Sequence, residues 1–493
     1  MTMAALQEQI AVEGRAAPAS QGRGMVRLLT CGSVDDGKST LIGRLLWDSA
    51  AVLDDQRAAI EQASQNRAIN GEKIDFSLLL DGLQAEREQG ITIDIAWRYF
   101  ETSDRRFIII DSPGHEQYTR NMATGASHAE IAILLIDARH GVKRQTRRHA
   151  AICDLVGIKK VVLAVNKMDQ IDWSESAYRA IEQDFLTLAA SFGFEEIATI
   201  PVAALAGDNV VRRSSHMSWY SGPTLLDYLE TVEPEALPAD APFRMPIQLV
   251  LRAANDFRGY AGTVTSGRIR CGDRIVDARS GHSAIIERIV TMDGDLAIAI
   301  KGDAVVLSLD TDIDISRGAV LSETGRRPTN ADVIETRLVW LSEAPFDPEL
   351  GYLLRTATDL VPVTSMSVSA LIDFETLESK PAHNCGVNDI ADCRILLGRP
   401  ASLDLFRDLP PTGSFVLISA IDGATVAGGV ITWAQSGAPA MSDNVLVLNR
   451  ELLARGVCAD LGNSPEDQAE FHRRAQEVAI LLRSAGVPVS IEI

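Results

Sequence analysis

The stretch that most constrains the fold of this chain is a nine-residue, glycine-containing segment near the N-terminus. It reads GSVDDGKST over residues 32–40 and matches the pattern G-x-x-x-x-G-K-[ST] of a phosphate-binding loop. Apolar residues before it predict a buried strand, and apolar residues after it predict one face of a helix. In that setting, consecutive backbone N–H groups and the helix N-terminus point at phosphate oxygens. The segment therefore predicts a nucleotide-binding α/β domain.

Individual residues of this loop have distinct expected roles. Gly32 and Gly37 permit the tight turns of the backbone. Lys38 is expected to reach the β- and γ-phosphates, and the hydroxyl of Ser39 is expected to hold Mg²⁺. The residues assigned to phosphate binding are Gly32, Ser33, Val34, Asp35, Asp36, Gly37, Lys38, Ser39 and Thr40.

A second motif, DSPGHEQY, follows a predicted strand at residues 107–110. The strand delivers Asp111 to its carboxyl end, where a carboxylate holds Mg²⁺ through water, and the N–H of Gly114 approaches a γ-phosphate. His115 has two interpretations, a surface or helix-capping residue or the residue that orients the attacking water, and we favour the second. The nucleotide-binding residues assigned to this motif are Asp111, Ser112, Pro113, Gly114 and His115.

A third motif, NKMD at residues 166–169, is expected to select the base. The carboxylate of Asp169 can accept hydrogen bonds from N1–H and the amine of guanine, whereas adenine would leave it unpaired. Asn166 is expected to brace the loop, and the stem of Lys167 to lie over the base. The base-side loop is assigned to Ala203, Ala204 and Leu205. The predicted ligand is GTP.

The segment REQGITIDIAW, residues 87–97, predicts a switch. Gly90 gives flexibility, and the hydroxyl of Thr92 would join Mg²⁺ only while the γ-phosphate holds the segment in place. An ordinary strand opening at Ile91 is expected in either case. The predicted catalytic residues are His115, Lys38, Gly114 and Thr92. The predicted metal ligands are Ser39, Thr92 and Asp111.

Composition limits the partners. The formal net charge of −20, from 47 basic and 67 acidic residues, disfavours broad nucleic-acid binding. No apolar run approaches the roughly 20 residues of a membrane span, and the N-terminus lacks a signal-peptide pattern. Six scattered cysteines favour free thiols in a reducing compartment. We expect a cytoplasmic protein that binds neither nucleic acid nor membrane.

The pattern of apolar residues divides the 493-residue chain into five parts. Short β-branched runs alternate with helical stretches up to about residue 236, which predicts a mostly parallel sheet covered by helices. Short strands broken by Gly and Asp then predict two antiparallel β-barrels, and a helix followed by a strand ends the chain. The expected parts are an arm at 1–23, a P-loop GTPase domain at 24–236, barrels at 237–328 and 329–436, and an extension at 437–493.

These motifs resemble those of a known class. GSVDDGKST, ITIDIAW, DSPGHEQY, QTRRH and NKMD are similar to the translation-factor class of GTPases. In detail, residues 25–434 resemble the large, GTP-binding subunit of bacterial sulfate adenylyltransferase, in which Asp36 stands where elongation factors carry His. The resemblance implies a heterodimer or higher assembly with a smaller catalytic subunit that makes adenylyl sulfate and pyrophosphate from ATP and sulfate. GTP hydrolysis would drive that step through two states that differ in their contacts to the partner.

Two segments depart from the family pattern. Ala203 stands where the family usually has Ser, so one side-chain bond to the nucleotide is expected to be lost. The C-terminal stretch is similar to the middle of adenylyl-sulfate kinase, but no lysine occurs after Lys380, so this stretch contains no phosphate-loop lysine. We expect a degenerate remnant without adenylyl-sulfate kinase activity.

Two other functions compete with this interpretation. A translational GTPase of the elongation-factor type would have the same domain order, although Asp36 and the kinase-like tail argue against it, and tRNA binding would distinguish it. A GTP-dependent scaffold would need no hydrolysis, and partner-stimulated turnover would exclude it.

Overall fold

The structure is a computed structural model. The chain divides into two compact units, Met1–Gln435 and Ser436–Ile493. It describes residues 23–49, 74, 76–79, 92, 94–234, 238, 240–252, 257–435, 446–449, 453, 457–458, 462, 464–484 and 489–492. The predicted arm up to residue 22 and the switch residues Gly90 and Ile91 lie outside these residues.

The first domain is a six-stranded sheet covered by helices. Its strands are β1 (Arg23–Gly32), β2 (Ala96–Glu101), β3 (Arg105–Asp111), β4 (Ile131–Asp137), β5 (Lys160–Asn166) and β6 (Glu196–Pro201). Their order is β2-β3-β1-β4-β5-β6, and only β2 runs antiparallel to its neighbour. The helices are α1 (Lys38–Asp48), α2 (Thr119–Ala126), α3 (Arg144–Leu155), α4 (Glu175–Ala189) and α5 (Leu225–Thr231), with 3-10 turns at Phe76–Leu79, Glu116–Tyr118 and Met168–Ile171. The predicted mostly parallel sheet is confirmed.

Strand register brings the motif-bearing ends of this sheet to one edge. Thr30, near the end of β1, pairs with Asp111 at the end of β3. Asp137 at the end of β4 pairs with Asn166 at the end of β5. Ligands of open α/β sheets bind outside the carboxyl ends of the strands, so this edge is where a nucleotide site belongs.

Two closed antiparallel barrels follow, as predicted. The strands of the first are β7 (Arg244–Arg252), β8 (Arg258–Thr263), β9 (Arg268–Arg270), β10 (Arg274–Asp277), β11 (Ser283–Thr291), β12 (Gly294–Leu296), β13 (Ile298–Ile300), β14 (Ala304–Leu309) and β15 (Val320–Glu323). The second has β16 (Thr329–Trp340), β17 (Tyr352–Arg355), β18 (Leu360–Ile372), β19 (Ser379–Pro381), β20 (Ile390–Leu403), β21 (Ser414–Ser419) and β22 (Thr425–Gln435), with the short helix α6 (Pro410–Gly413). Their rings run β10-β15-β7-β8-β14-β11 and β17-β21-β22-β16-β20-β18, closed by the β10–β11 and β17–β18 pairings.

Direct contacts join these parts of the first unit. A guanidinium nitrogen of Arg120 in α2 donates to the backbone oxygen of Leu341, directly after β16, at 3.1 Å. Arg279 of the first barrel and Arg399 of the second both bind the carboxylate of Asp359, at 2.5 and 2.6 Å. The second barrel is therefore bound both to the first barrel and to the helix that follows the DSPGHEQY motif.

Two local expectations are corrected. The strand expected to open at Ile91 begins at Ala96, with Asp94 and Ile95 outside it. Arg23, assigned to the arm, is the first residue of β1, because it pairs with Arg105 of β3. The domain bounds drawn from the sequence otherwise remain predictions.

The second unit contains β23 (Leu446–Asn449), α7 (Pro465–Ser484) and β24 (Val489–Glu492). The two strands pair in parallel. The hydroxyl of Ser464 accepts from the backbone N–H of Asp467 at 3.1 Å, which is an N-cap at the start of α7. Phe471, Ala475 and Ala479 of the helix pack on the apolar core of this unit. No helix in the described ranges combines the length and the apolarity needed to cross a bilayer.

Candidate nucleotide site

The phosphate loop has the geometry that its sequence predicts. Gly37 has a φ of 93°, in the left-handed region, and α1 begins directly after it. The ammonium of Lys38 donates to the backbone oxygens of Gly32 at 3.0 Å and Ser33 at 3.2 Å. Burial lowers the pKa of Lys38, and the negative charges of Asp111 and Asp36 oppose that shift. The lysine thus lies over the loop carbonyls, where the phosphates of a nucleotide would meet it.

The loop also contains a buried hydroxyl without a partner. The Oγ of Ser33 is buried and makes no hydrogen bond within the described part of the chain. An unsatisfied buried polar group is destabilising and points to a missing ligand. The first turn of α1 contains no acidic residue, so no carboxylate of that turn competes with an anion at its positive end. Both observations fit a phosphate group.

The DSPGHEQY turn lies directly against this loop. The carboxylate of Asp111 is buried, and one of its oxygens accepts from the hydroxyl of Thr30 at 3.4 Å. A Cβ placed on Gly114 would lie 2.7 Å from the backbone oxygen of Gly32 and would also strike the ammonium of Lys38. Only glycine permits this approach, which brings the two motifs together.

His115 and Thr92 are both half-buried and lie outside helices and strands. His115 is half-buried, and its Nδ1 accepts from the backbone N–H of Gln117 at 3.2 Å, a local capping contact. A neutral ring then carries its proton on Nε2. Thr92 is half-buried and lies outside helices and strands. The roles of His115 in orienting water and of Thr92 in switching stay predictions.

Asn166 joins three loops. Its Nδ2 donates to the backbone oxygen of Asp36 at 2.9 Å, and its Oδ1 accepts from the backbone N–H of Ala204 at 3.0 Å. The side chain is buried, so both bonds are made away from solvent. A single amide therefore connects the phosphate loop, the NKMD motif and the base-side loop.

A cavity of about 290 Å³ opens beside these loops. It is lined by Gly37, Thr40, Phe76, Arg139, Asn166, Lys167, Asp169, Gln170, Ala204 and Leu205. Asp169 is half-buried, and one carboxylate oxygen accepts from the side chain of Gln170 at 2.8 Å. Ala203 is fully buried and is not among the lining residues, so the base-side surface consists of Ala204 and Leu205.

Sequence reasoning missed a buried carboxylate next to this cavity. Asp137 binds the ammonium of Lys167 at 3.0 Å and the guanidinium of Arg139 at 2.6 Å. Burial alone would raise the pKa of Asp137, but hydrogen bonds from Arg139 and Lys167 hold it well below its usual range. Lys167 also donates to the backbone oxygen of Asp35. The position of Asp137 at a strand end between β1 and β5 was the available signal.

A second missed residue contacts the phosphate loop from outside. The ammonium of Lys143, directly before α3, lies 3.2 Å from Oδ1 of Asp36. The other oxygen of that carboxylate accepts from the backbone N–H of Ser33 at 2.6 Å. Local sequence patterns do not place residues 36 and 143 together, because the contact arises from the sheet topology.

Comparison with known proteins agrees with this geometry. Residues 23–235 match the model of the elongation factor Tu GTP binding domain, and residues 333–432 match a GTP-eEF1A C-terminal domain-like model. Bifunctional enzyme NodQ of Rhizobium sp. (strain N33) is 42% identical over 96% of this chain and 80% of the relative.

Two further relatives are named sulfate adenylyltransferase subunit 1. The protein of Laribacter hongkongensis is 46% identical over 85% of this chain and 87% of the relative. That of Colwellia psychrerythraea is 46% identical over 84% of this chain and 89% of the relative. The resemblance drawn from the motifs is thereby confirmed, and the chain belongs to the family of sulfate adenylyltransferase subunit 1.

Proposed function

We propose that this chain is the GTPase subunit of a sulfate adenylyltransferase. GTP hydrolysis on this chain would drive formation of adenylyl sulfate and pyrophosphate from ATP and sulfate on a smaller partner subunit. The observation that carries the proposal is the position of the phosphate loop and the NKMD motif along one cavity, with the DSPGHEQY turn packed against the same loop at Gly114, in a chain 46% identical to proteins named as subunit 1 of that enzyme.

The arrangement supports guanine over adenine as the base. Asp169 lines the cavity together with the braced Asn166 and Lys167. A carboxylate there gains two hydrogen bonds from guanine and is left unpaired against adenine. GTP is therefore the nucleotide that this chain is expected to hydrolyse.

Mg²⁺ belongs to the same proposal. Ser39, Thr92 and Asp111 would hold it, and it would supply positive charge against the β- and γ-phosphate oxygens. The buried Asp111 carboxylate at the end of β3 fits a hard cation, since such ions prefer oxygen ligands. Lys38 would add the second positive charge, and the N–H of Gly114 would bind a γ-phosphate oxygen.

The path from nucleotide to partner is proposed to run through α2. This helix follows the Gly114 turn after only one 3-10 turn, and its Arg120 is bound to the second barrel at Leu341. A γ-phosphate that holds Gly114 would thereby bias the position of α2 relative to that barrel. We expect the small catalytic subunit to sense this difference between the GTP-bound and GDP-bound states.

The test is GTP turnover by the purified chain, alone and with the small adenylyltransferase subunit, ATP and sulfate. Turnover should rise with the partner and both substrates, and should vanish in Lys38→Ala. Turnover that ignores the partner, together with tRNA binding in a gel shift, would instead support a translational GTPase.

Two smaller proposals accompany the function. The C-terminal unit has no lysine, so we expect no adenylyl-sulfate kinase activity, and labelled phosphate transferred to adenylyl sulfate by the pure chain would contradict this. All six cysteines are free thiols, five of them buried, which supports a cytoplasmic location.

A further inference from the structure

The phosphate loop contains a carboxylate that would oppose its own ligand. The side chain of Asp36 is only 1% exposed, and its Oδ2 accepts from the backbone N–H of Ser33 inside the loop. A nucleoside triphosphate is strongly negative, so a nearby buried carboxylate repels it in a medium of low dielectric constant. A loop with this residue needs a compensating positive charge beyond the lysine that binds the phosphates.

Lys143 supplies a positive charge at this position. Its ammonium lies 3.2 Å from Oδ1 of Asp36, and the side chain of Lys143 is 34% exposed. The residue comes from the segment between β4 and α3, more than one hundred residues further along the chain. Its ammonium contacts Oδ1 of Asp36, whereas the backbone N–H of Ser33 contacts Oδ2 of the same carboxylate.

The side chain of Lys143 is not needed to start α3. The backbone N–H of Lys143 donates to the hydroxyl of Thr146 at 3.3 Å, and the side chain of Lys143 makes no capping hydrogen bond. A substitution that keeps the aliphatic stem would therefore remove the charge and leave this contact in place. The role of the ammonium is then its contact with Asp36.

We propose that Lys143 is a positioning residue that neutralises Asp36 and so permits the phosphate loop to bind a triphosphate. The inference rests on the proposed GTP binding and adds the residue on which its affinity depends. It requires a specific dependence between the two positions: loss of Lys143 weakens binding only while residue 36 is negative. It also requires a larger loss for GTP than for GDP, because GTP carries more charge.

The experiment measures the dissociation constants of fluorescent GTP and GDP analogues for the full chain at low and high salt. The variants are K143M, K143R, D36N and the double variant D36N/K143M. The matched control is K159M. The side chain of Lys159 is also 34% exposed and pairs with the carboxylate of Glu195. Lys159 lies directly before the amino end of β5, whereas Asn166 and the nucleotide site lie at its carboxyl end.

We expect K143M to weaken GTP binding roughly tenfold at low salt, between the effects of exposed and fully buried ion pairs. The loss of affinity for GDP should be smaller than the loss for GTP, and high salt should reduce both losses. K143R should bind within about threefold of wild type, D36N/K143M should bind within about threefold of D36N, and K159M should be unchanged.

Three results would overturn the inference. One is K143M binding like wild type, and another is a K143M loss that D36N does not rescue, which would mean a structural role. The third is equal loss for GTP and GDP. A wild-type chain that binds neither nucleotide would instead refute the proposed function itself, and the inference with it, so the two failures are distinguishable.

Discussion

Replacing Asp137 by Asn tests whether the buried carboxylate beside the cavity organises the base-binding side. The substitution keeps the shape of the side chain and removes its charge. Asp137 is held by Lys167 at 3.0 Å and by Arg139 at 2.6 Å, with its own side chain 2% exposed. Asn would present one amide N–H group toward a cation that needs an acceptor. Lys167 would then retain its contact with the backbone oxygen of Asp35 but lose the carboxylate that fixes its ammonium.

The expected loss of folding stability is about 2 kcal/mol, since hydrogen bonds to charged groups contribute about 1.5–3 kcal/mol. Arg139→Ala should cost less than Asp137→Asn, because the Arg139 side chain is 42% exposed and the Lys167 contact survives. If Lys167 keeps its position in only about a tenth of Asp137→Asn molecules, GTP and GDP bind about tenfold more weakly.

Urea unfolding and fluorescent-nucleotide titration measure both effects on the same three proteins. Because the folded-state pKa of Asp137 lies below its ordinary value of 3.8, its stabilisation is complete above about pH 4 and is lost as pH falls. The difference in the free energy of unfolding between wild type and Asp137→Asn should therefore become smaller below pH 4. Equal nucleotide affinities in wild type and Asp137→Asn would refute this reasoning. A larger loss of folding stability in Arg139→Ala than in Asp137→Asn would refute it as well.

Four other substitutions test separate contacts. Gly114→Ala should reduce single-turnover GTP hydrolysis at least tenfold, because the added Cβ strikes the phosphate loop, and undiminished hydrolysis would contradict that geometry. Asn166→Ala breaks two buried bonds, so the dissociation constants of GTP and GDP should both rise by roughly 30- to 100-fold in the same titration. His149 is buried and its pKa falls to about 3 through burial and nearby positive charge. As pH falls below 6.5, the unfolded chain binds a proton at His149 before the folded chain does. The free energy of unfolding should therefore drop by up to about 1.4 kcal/mol per pH unit toward pH 3. His149→Asn should flatten that slope in pH-dependent unfolding. Arg120→Ala removes the bond to Leu341 and should lower partner-stimulated GTP turnover while GDP affinity stays within about twofold.

The parts of the site that could be predicted are those written as local patterns. The phosphate loop, the strand before it and the helix after it occupy one continuous stretch, so period and glycine placement suffice. The same holds for the Asp111 to Gly114 turn at the end of β3 and for Asn166 at the end of β5. Strand ends in parallel sheets meet at one edge, which is why three motifs could be assigned to one site.

The parts that could not be predicted depend on contacts between distant segments. Asp137 reads as the last residue of a buried strand, and only its pairing with Asn166 places it beside Lys167. Lys143 reads as a solvated charge, and only the packing of α3 beside the loop brings it to Asp36. Charge-pair contacts of this kind leave no periodic signal in a single sequence.

The carboxyl edge of the sheet explains how binding and transmission share one structure. Asn166 binds the phosphate loop and the base-side loop through one side chain, so these two loops are coupled to each other. Gly114 lies on the same loop from the other side, and α2 follows it to the contact between Arg120 and Leu341. We therefore expect the loss of a γ-phosphate to release only the Gly114 side, while Asn166 continues to hold the phosphate loop and the base-side loop together. We expect such an arrangement to let the second barrel respond to hydrolysis before GDP leaves the site.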